Sequence, residues 1–291
     1  MSSLRFKSFL VGGFLLAGMS ASQAAVVIEN GYVQAGVSDY GTLGSNGNTS
    51  PGILFDATGS GNYGNNDFLT PGTPFEGFYV TASGYSAGSN NDGSPSNFGT
   101  NAPTSTGATS ATWTGTDGIL SVTNAYSVST GAGQTVIGIT TTLTNMSGAA
   151  LTSLQFLRTL DPDPDVNQYG SYATNNAVIS ADQACGTGTS SGQTICIYSN
   201  SGFTHEAGVS SAWTTTPANY LAGLNDGNGD YAIGLAFDLG TLDAGNSLTL
   251  TYSYNSAATL AQASATDVPE PATMLLLGAG FAGLGLARRR R

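Results

Sequence analysis

The stretch QTVIGITTTLTN, residues 134–145, alternates apolar and polar side chains with a period of two. Ile137, Ile139, Thr141 and Leu143 fall on one face, and Thr140, Thr142 and Thr144 on the other. A pleated strand sends successive side chains to opposite faces, so this spacing fits a half-buried strand and not a helix. The pattern recurs. Leu120, Val122, Tyr126 and Val128 align, as do Tyr231, Ile233, Leu235, Phe237 and Leu239 against small Ala232, Gly234 and Ala236. Leu248, Leu250, Tyr252 and Tyr254 form a fourth set, joined to the third by a hairpin connection over residues 239–246. Shorter strands are expected over 26–28, 32–37, 53–55, 75–81, 109–115, 151–160, 177–181 and 194–198. Between the termini no stretch shows helical period. A sheet that buries one face needs a second layer, so the expected fold class is all-β, an antiparallel β-sandwich. The 41 glycines supply the turns that many short strands require.

Residues 84–110 read GYSAGSNNDGSPSNFGTNAPTSTGATS. This composition suits a long surface loop or a spacer, so the body, residues 25–256, is either one sandwich or two sub-domains split near 84–110. Residues 257–267 read as a stalk. No fixed-period repeat is present, which argues against a solenoid.

Charge narrows the function classes. Residues 25–267 hold 17 acidic residues, a single basic one, Arg158, and no lysine. A surface of net charge −16 repels phosphate backbones, which excludes nucleic acid as a partner.

The ends carry a different chemistry. Arg5 and Lys7 precede an apolar run over residues 9–19, and Ser22 and Ala24 place small residues at the −3 and −1 positions. This is the pattern of a secretory signal peptide over residues 1–24. At the other end, residues 272–287 carry no charge and are followed by Arg288, Arg289, Arg290 and Arg291. As a helix the run would be about 24 Å long, a little short of the hydrocarbon core. The arginines would hold the C-terminus in the cytoplasm as a stop-transfer cluster.

Val268-Pro269-Glu270-Pro271, then the short apolar run, then the Arg cluster, resembles the PEP-CTERM sorting signal of Gram-negative bacteria. The resemblance covers residues 268–291. It implies that a membrane-embedded exosortase recognises Pro269, Glu270 and Pro271, and that residues 272–287 are a transient membrane-spanning helix. It further implies removal of the tail and delivery of the body to the cell surface or the medium, in bacteria that make exopolysaccharide or biofilm.

Within the body, Cys185 and Cys196 flank a Gly/Ser/Thr turn in an exported chain, which points to a disulfide across a hairpin or loop. Two thiols and one histidine make a poor zinc set. DPDPD places Asp161, Asp163 and Asp165 on a Pro-spaced loop, and NDGNGD places Asp226, Asn228 and Asp230 at the same spacing. Alternate oxygen donors of this kind suit a hard cation, Ca²⁺, although neither motif has the later Glu of an EF-hand. Turn building alone also accounts for both motifs. Arg158, three residues before Asp161, is expected to pair with one of those aspartates, partly buried if it shares a face with Leu154, Phe156 and Leu160.

Catalytic signals are absent. His205, beside Glu206, is the one histidine, and no GxSxG turn accompanies it. Glu76, Glu206 and the aspartates include no pair that spacing selects for glycosidase chemistry. Trp113, Trp213 and the tyrosines suit either a core or a sugar-stacking surface. The resulting reading is an exported, non-enzymatic surface or matrix protein associated with exopolysaccharide or biofilm, with Ca²⁺ as its one candidate cofactor. The alternatives are a secreted carbohydrate-active enzyme, a permanently anchored single-pass membrane protein, and a purely structural protein.

Overall fold

The computed structural model describes residues 26–44, 51–64, 67–69, 75–131 and 133–265. The expected signal peptide, the sorting motif, the apolar run and the Arg cluster lie outside them. In chain order the strands are β1 (Val26–Glu29), β2 (Val33–Val37), β3 (Ile53–Phe55), β4 (Glu76–Ala82), β5 (Tyr85–Asn90), β6 (Thr104–Gly107), β7 (Ser110–Thr116) and β8 (Leu120–Gly131). They continue as β9 (Gln134–Asn145), β10 (Leu151–Leu160), β11 (Thr174–Ser180), β12 (Gln183–Gly188), β13 (Thr194–Tyr198), β14 (Thr204–Ser210), β15 (Ala232–Leu242) and β16 (Ser247–Ala257). Three short helices interrupt them: α1 (Val166–Tyr169), α2 (Pro217–Leu221) and α3 (Leu260–Ala263). Among the described residues no helix is long and apolar enough to cross a membrane.

The fold is an antiparallel sandwich. One layer has five strands, ordered β14-β15-β10-β4-β5; the other has eight, ordered β11-β12-β13-β16-β9-β8-β7-β6. A small sheet, β1-β2-β3, buries Ile28, Val33, Ala35 and Val37 in the same core. Inward positions of the two large sheets meet in an aromatic seam. Phe78 of β4 lies 5.9 Å from Trp113 of β7, and Phe156 of β10 lies 5.9 Å from Tyr252 of β16. Phe237 of β15 joins Tyr252 at 6.0 Å. Each such buried ring contributes roughly 2 kcal/mol through removal from water.

The strands that alternate most clearly, β8, β9, β15 and β16, form where their pattern places them. The four unexpected strands, β5, β6, β12 and β14, are rich in Gly, Ala, Ser and Thr, so their period-two signal is faint. Residues 84–110 accordingly differ from a plain loop or spacer. They hold β5 and β6, and Phe98 between them is fully buried, 5.5 Å from Phe78. Buried residues from both sides of this stretch belong to one apolar cluster. The stretch expected as a stalk also differs. Ala257 closes β16, and α3 packs Leu260 and Ala263 on the Cys185–Cys196 disulfide.

Arg158 shares the inward face of β10 with Leu154, Phe156 and Leu160, and all four are fully buried. Its partner is Glu76 of β4, not an aspartate of the DPDPD loop. Glu76 also accepts from the Leu43 amide at 2.6 Å and from the Tyr254 hydroxyl at 2.9 Å. Burial pushes the Glu76 carboxyl up, opposed by the Arg158 guanidinium and these donors. For Arg158, burial works against the charge, but the facing Glu76 carboxylate together with Tyr126, Tyr252 and Tyr254 outweighs it and holds the guanidinium protonated. Both residues are therefore structural. Gly41 shows how closely the core is filled. It has φ +70°, its carbonyl accepts from the Tyr126 hydroxyl, and a Cβ there would lie 2.1 Å from the Trp113 ring.

Candidate functional site

The site forms where β10 ends and β15 begins. These strands are antiparallel neighbours, with Leu160 opposite Ile233, so the residues after Leu160 and before Ala232 meet at one edge of the sandwich. Pro162 and Pro164 each fix a backbone φ and stiffen the exit loop. The Asp161 and Asp163 amides donate to the Phe75 and Phe68 carbonyls at 2.9 and 2.7 Å, which ties the loop to the body. Asp230 reaches the same place from the other motif. Ligand oxygens of Asp161, Asp163 and Asp230 all lie within 4.8 Å of one another.

The electrostatics are uncompensated. Asp161 is 6 % exposed and Asp163 is 3 % exposed, and the Oδ1 atom of each is buried without a hydrogen-bond partner. Burial, then the charge of Asp230, pushes the Asp161 carboxyl up to about 7, with the Trp213 side chain acting in the opposite direction. Burial, then Asp161 and Asp230, pushes Asp163 up to about 9. Burial also raises Asp230. Among the described residues Arg158 is the only lysine or arginine, and Glu76 occupies it. Three carboxyl groups with oxygen donors alone can be neutralised by protons or by a hard divalent cation.

The other expected ligands are engaged elsewhere. Asp165 accepts from the Ser190 and Ser191 amides at 2.7 and 3.1 Å and so locks the loop between β12 and β13. Asp226 accepts from the Ser211 amide and hydroxyl, both at 2.7 Å, and these bonds lower its pKa. Asn228 Oδ1 accepts from the Asn176 amide at 2.8 Å. The structure thus combines two aspartates of one motif with the last of the other. No spacing rule selects that set, because it depends on β10 and β15 being neighbours.

The remaining candidates separate cleanly. Cys185 and Cys196 stand opposite each other on β12 and β13 and form the disulfide. The two ring nitrogens of His205 face the Phe203 carbonyl at 2.6 Å and Asp182 at 2.9 Å, so its partners include no hydroxyl nucleophile. Trp113 is a core residue, 1 % exposed, with its indole N–H on the Asp39 carbonyl. Trp213 is 40 % exposed and follows β14, whose Ser210 pairs with Ala232, so it stands beside the acidic edge. A separate cavity of about 430 Å³ is lined by Tyr32, Phe55, Thr130, Gln134 and Gln262 among others, and contains no carboxylate. The three-carboxylate cluster at the acidic edge lies apart from that hollow.

The family described as the PEP-CTERM protein-sorting motif matches residues 267–291. The chain therefore carries a C-terminal sorting motif of the kind that implies export and recognition by an exosortase. No curated protein matches the chain in sequence. Among solved structures, a bacterial glucoamylase complexed with acarbose is similar at 10% identity and TM-score 0.48, over 83% of this chain and 33% of that one. The chain thus spans about a third of that glucoamylase. A putative aldose 1-epimerase from Escherichia coli K12 is similar at 12% identity and TM-score 0.43, over 80% of this chain and 98% of that one. A galactose mutarotase related enzyme from Lactobacillus acidophilus is similar at 11% identity and TM-score 0.37, over 81% and 98%.

Proposed function

We propose that this chain is an exported, non-enzymatic surface or matrix protein that holds one Ca²⁺ ion at Asp161, Asp163 and Asp230 and associates with exopolysaccharide. In this reading the signal peptide, residues 1–24, directs export. An exosortase then reads Pro269, Glu270 and Pro271, while residues 272–287 and Arg288–Arg291 stop the chain in the membrane until the tail is removed. The observation that carries the cation is the meeting of three carboxylates, two of them buried with unpartnered oxygens and with no basic residue beside them among the described residues. Ca²⁺ fits because it takes six to eight oxygens in flexible geometry, so carbonyls and waters can complete the shell. Calorimetric titration of the metal-stripped full chain should give Ca²⁺ heat, and unfolding should shift upward. At a hundredfold excess over Kd the gain is about 2.7 kcal/mol. Asp163→Asn should abolish both effects. An absence of heat and of any shift at millimolar Ca²⁺ would sink the cation reading.

The intact mass of the protein from its host tests the sorting half. A species that lacks the Arg-ended segment fits processing, and one that keeps it fits a standing anchor. A second reading, a secreted carbohydrate-active enzyme, draws support from the unequal titration of Asp161 and Asp163, since neighbouring carboxyls at about 7 and about 9 can serve as base and acid. It requires that sugar release be detectable and be lost in both Asp161→Asn and Asp163→Asn.

A further inference from the structure

We propose that Trp213 is the stacking platform of a saccharide subsite at the acidic edge, taking a neutral sugar ring whose vicinal hydroxyls complete the coordination of the cation. The hydroxyl half of this inference rests on the Ca²⁺ reading. The platform half rests on Trp213 itself.

Core packing does not account for this tryptophan. It leaves 40 % of the residue in solvent, whereas Trp113 is buried in the aromatic seam. Its backbone has φ +47°, in the left-handed region where a bulky residue is disfavoured and Gly or Asn would sit without strain. An exposed indole on an unfavourable backbone is the kind of local cost that a binding role explains. Its side chain interacts with Asp161, so the ring stands at the rim of the carboxylate set. The aspartates point to a ligand independently of Trp213. Asp161 and Asp163 are both more than nine-tenths buried, and the Oδ1 atom of each has no hydrogen-bond partner among the described residues.

A pyranose matches both halves. One face of the ring presents C–H groups, which pack on an aromatic plane, while its edge carries hydroxyl oxygens that can replace water on a hard cation. Charge selects a neutral ring over a uronate. Three ionised carboxylates around one divalent ion leave an excess negative charge, set in a body that is itself strongly acidic. A sugar carboxylate would enter against that field.

The test uses the full chain purified in detergent, with soluble mannan and dextran as neutral probes and polygalacturonate as the anionic one. Each is titrated calorimetrically in Ca²⁺ and again in EDTA. The expected result is Ca²⁺-dependent binding of a neutral glycan, weakened about tenfold in Trp213→Gly and partly kept in Trp213→Phe. Trp213→Gly suits the left-handed backbone, so its unfolding temperature should not fall, and Ca²⁺ heat retained in that variant separates loss of the platform from loss of the cation. Asp163→Asn should lose both ligands. If Ca²⁺ binds but Trp213→Gly holds glycan as tightly as the parent, or neither neutral glycan binds, the saccharide subsite is overturned and the cation reading stands. Tighter binding of polygalacturonate overturns the choice of a neutral ring. If Ca²⁺ gives no heat, the cation reading and the hydroxyl half fall together, and the platform half is then overturned unless a neutral glycan binds in EDTA and Trp213→Gly weakens that binding.

Discussion

Removing Glu76 should unfold far more than a single carboxylate contact would suggest. Glu76→Leu leaves the fully buried Arg158 guanidinium without a counter-charge and strips the acceptor from the Leu43 amide and the Tyr254 hydroxyl. Breaking one side of a buried ion pair costs about 3–5 kcal/mol. For a body of this size each kcal/mol moves the midpoint by about 2–4 °C, so the expected fall in Tm is on the order of 10 °C. Arg158→Met should behave differently. The Glu76 left behind can take up a proton, and burial already pushes its carboxyl upward, so the destabilisation should be mild at pH 5 and grow toward pH 8. Glu76→Leu should show no such growth, because Arg158 does not titrate in this range. The double variant removes both charges and should regain most of the loss, since hydrophobic replacements of a buried pair are often near neutral. Urea unfolding of the four proteins at the two pH values closes the cycle. If the single effects simply add in the double variant, the pair is not coupled and the account of the core given above is wrong.

Two further outcomes follow from the same geometry. Without a cation the acidic edge should make stability fall as pH rises. Asp161 and Asp163 titrate higher in the folded chain than in the unfolded one, so the folded chain retains protons that the unfolded chain releases from about pH 4 upward. For Asp161, with a folded value of about 7, the loss approaches about 4 kcal/mol by neutral pH; denaturant titration in EDTA measures it, and a flat profile from pH 4 to 8 contradicts it. Reduction of Cys185–Cys196, which are 11 residues apart, should cost about 3 kcal/mol through lost loop closure and loosen α3, read as earlier hydrogen exchange at Leu260 to Ala263. An unchanged midpoint after complete reduction would refute that role.

The acidic site was half legible. Its members Asp161, Asp163 and Asp230 stand out as alternate oxygen donors in two short motifs, and each motif also contains residues that the folded chain spends on its own turns. Asp165 holds the β12–β13 loop, and Asp226 holds Ser211. A carboxylate that caps a turn and one left with an unpartnered oxygen have the same letter. What separates them is whether a backbone amide lies within reach, and that is set by segments far away in the chain. Arg158 illustrates the same point. Its nearest acidic residues in sequence are the aspartates, yet strand pairing places Glu76, 82 residues away, beside its guanidinium.

Local chemistry determined the class of this protein by itself. Period-two alternation in β8, β9, β15 and β16 admits only strands, one apolar face per strand demands a second layer, and the Pro-Glu-Pro, apolar and Arg order at the C-terminal end matches the sorting motif in linear form. Those features are local in the chain, so they survive without a fold. The strands β5, β6, β12 and β14 became strands because neighbours offered unpaired backbone groups, not because their own side chains required it. The two tryptophans were equivalent until the sheets faced each other; packing buried Trp113 and left Trp213 at the rim. The joining of Asp161 and Asp163 with Asp230 followed from the register of β10 on β15, a long-range hydrogen-bond ladder that no short window of residues encodes.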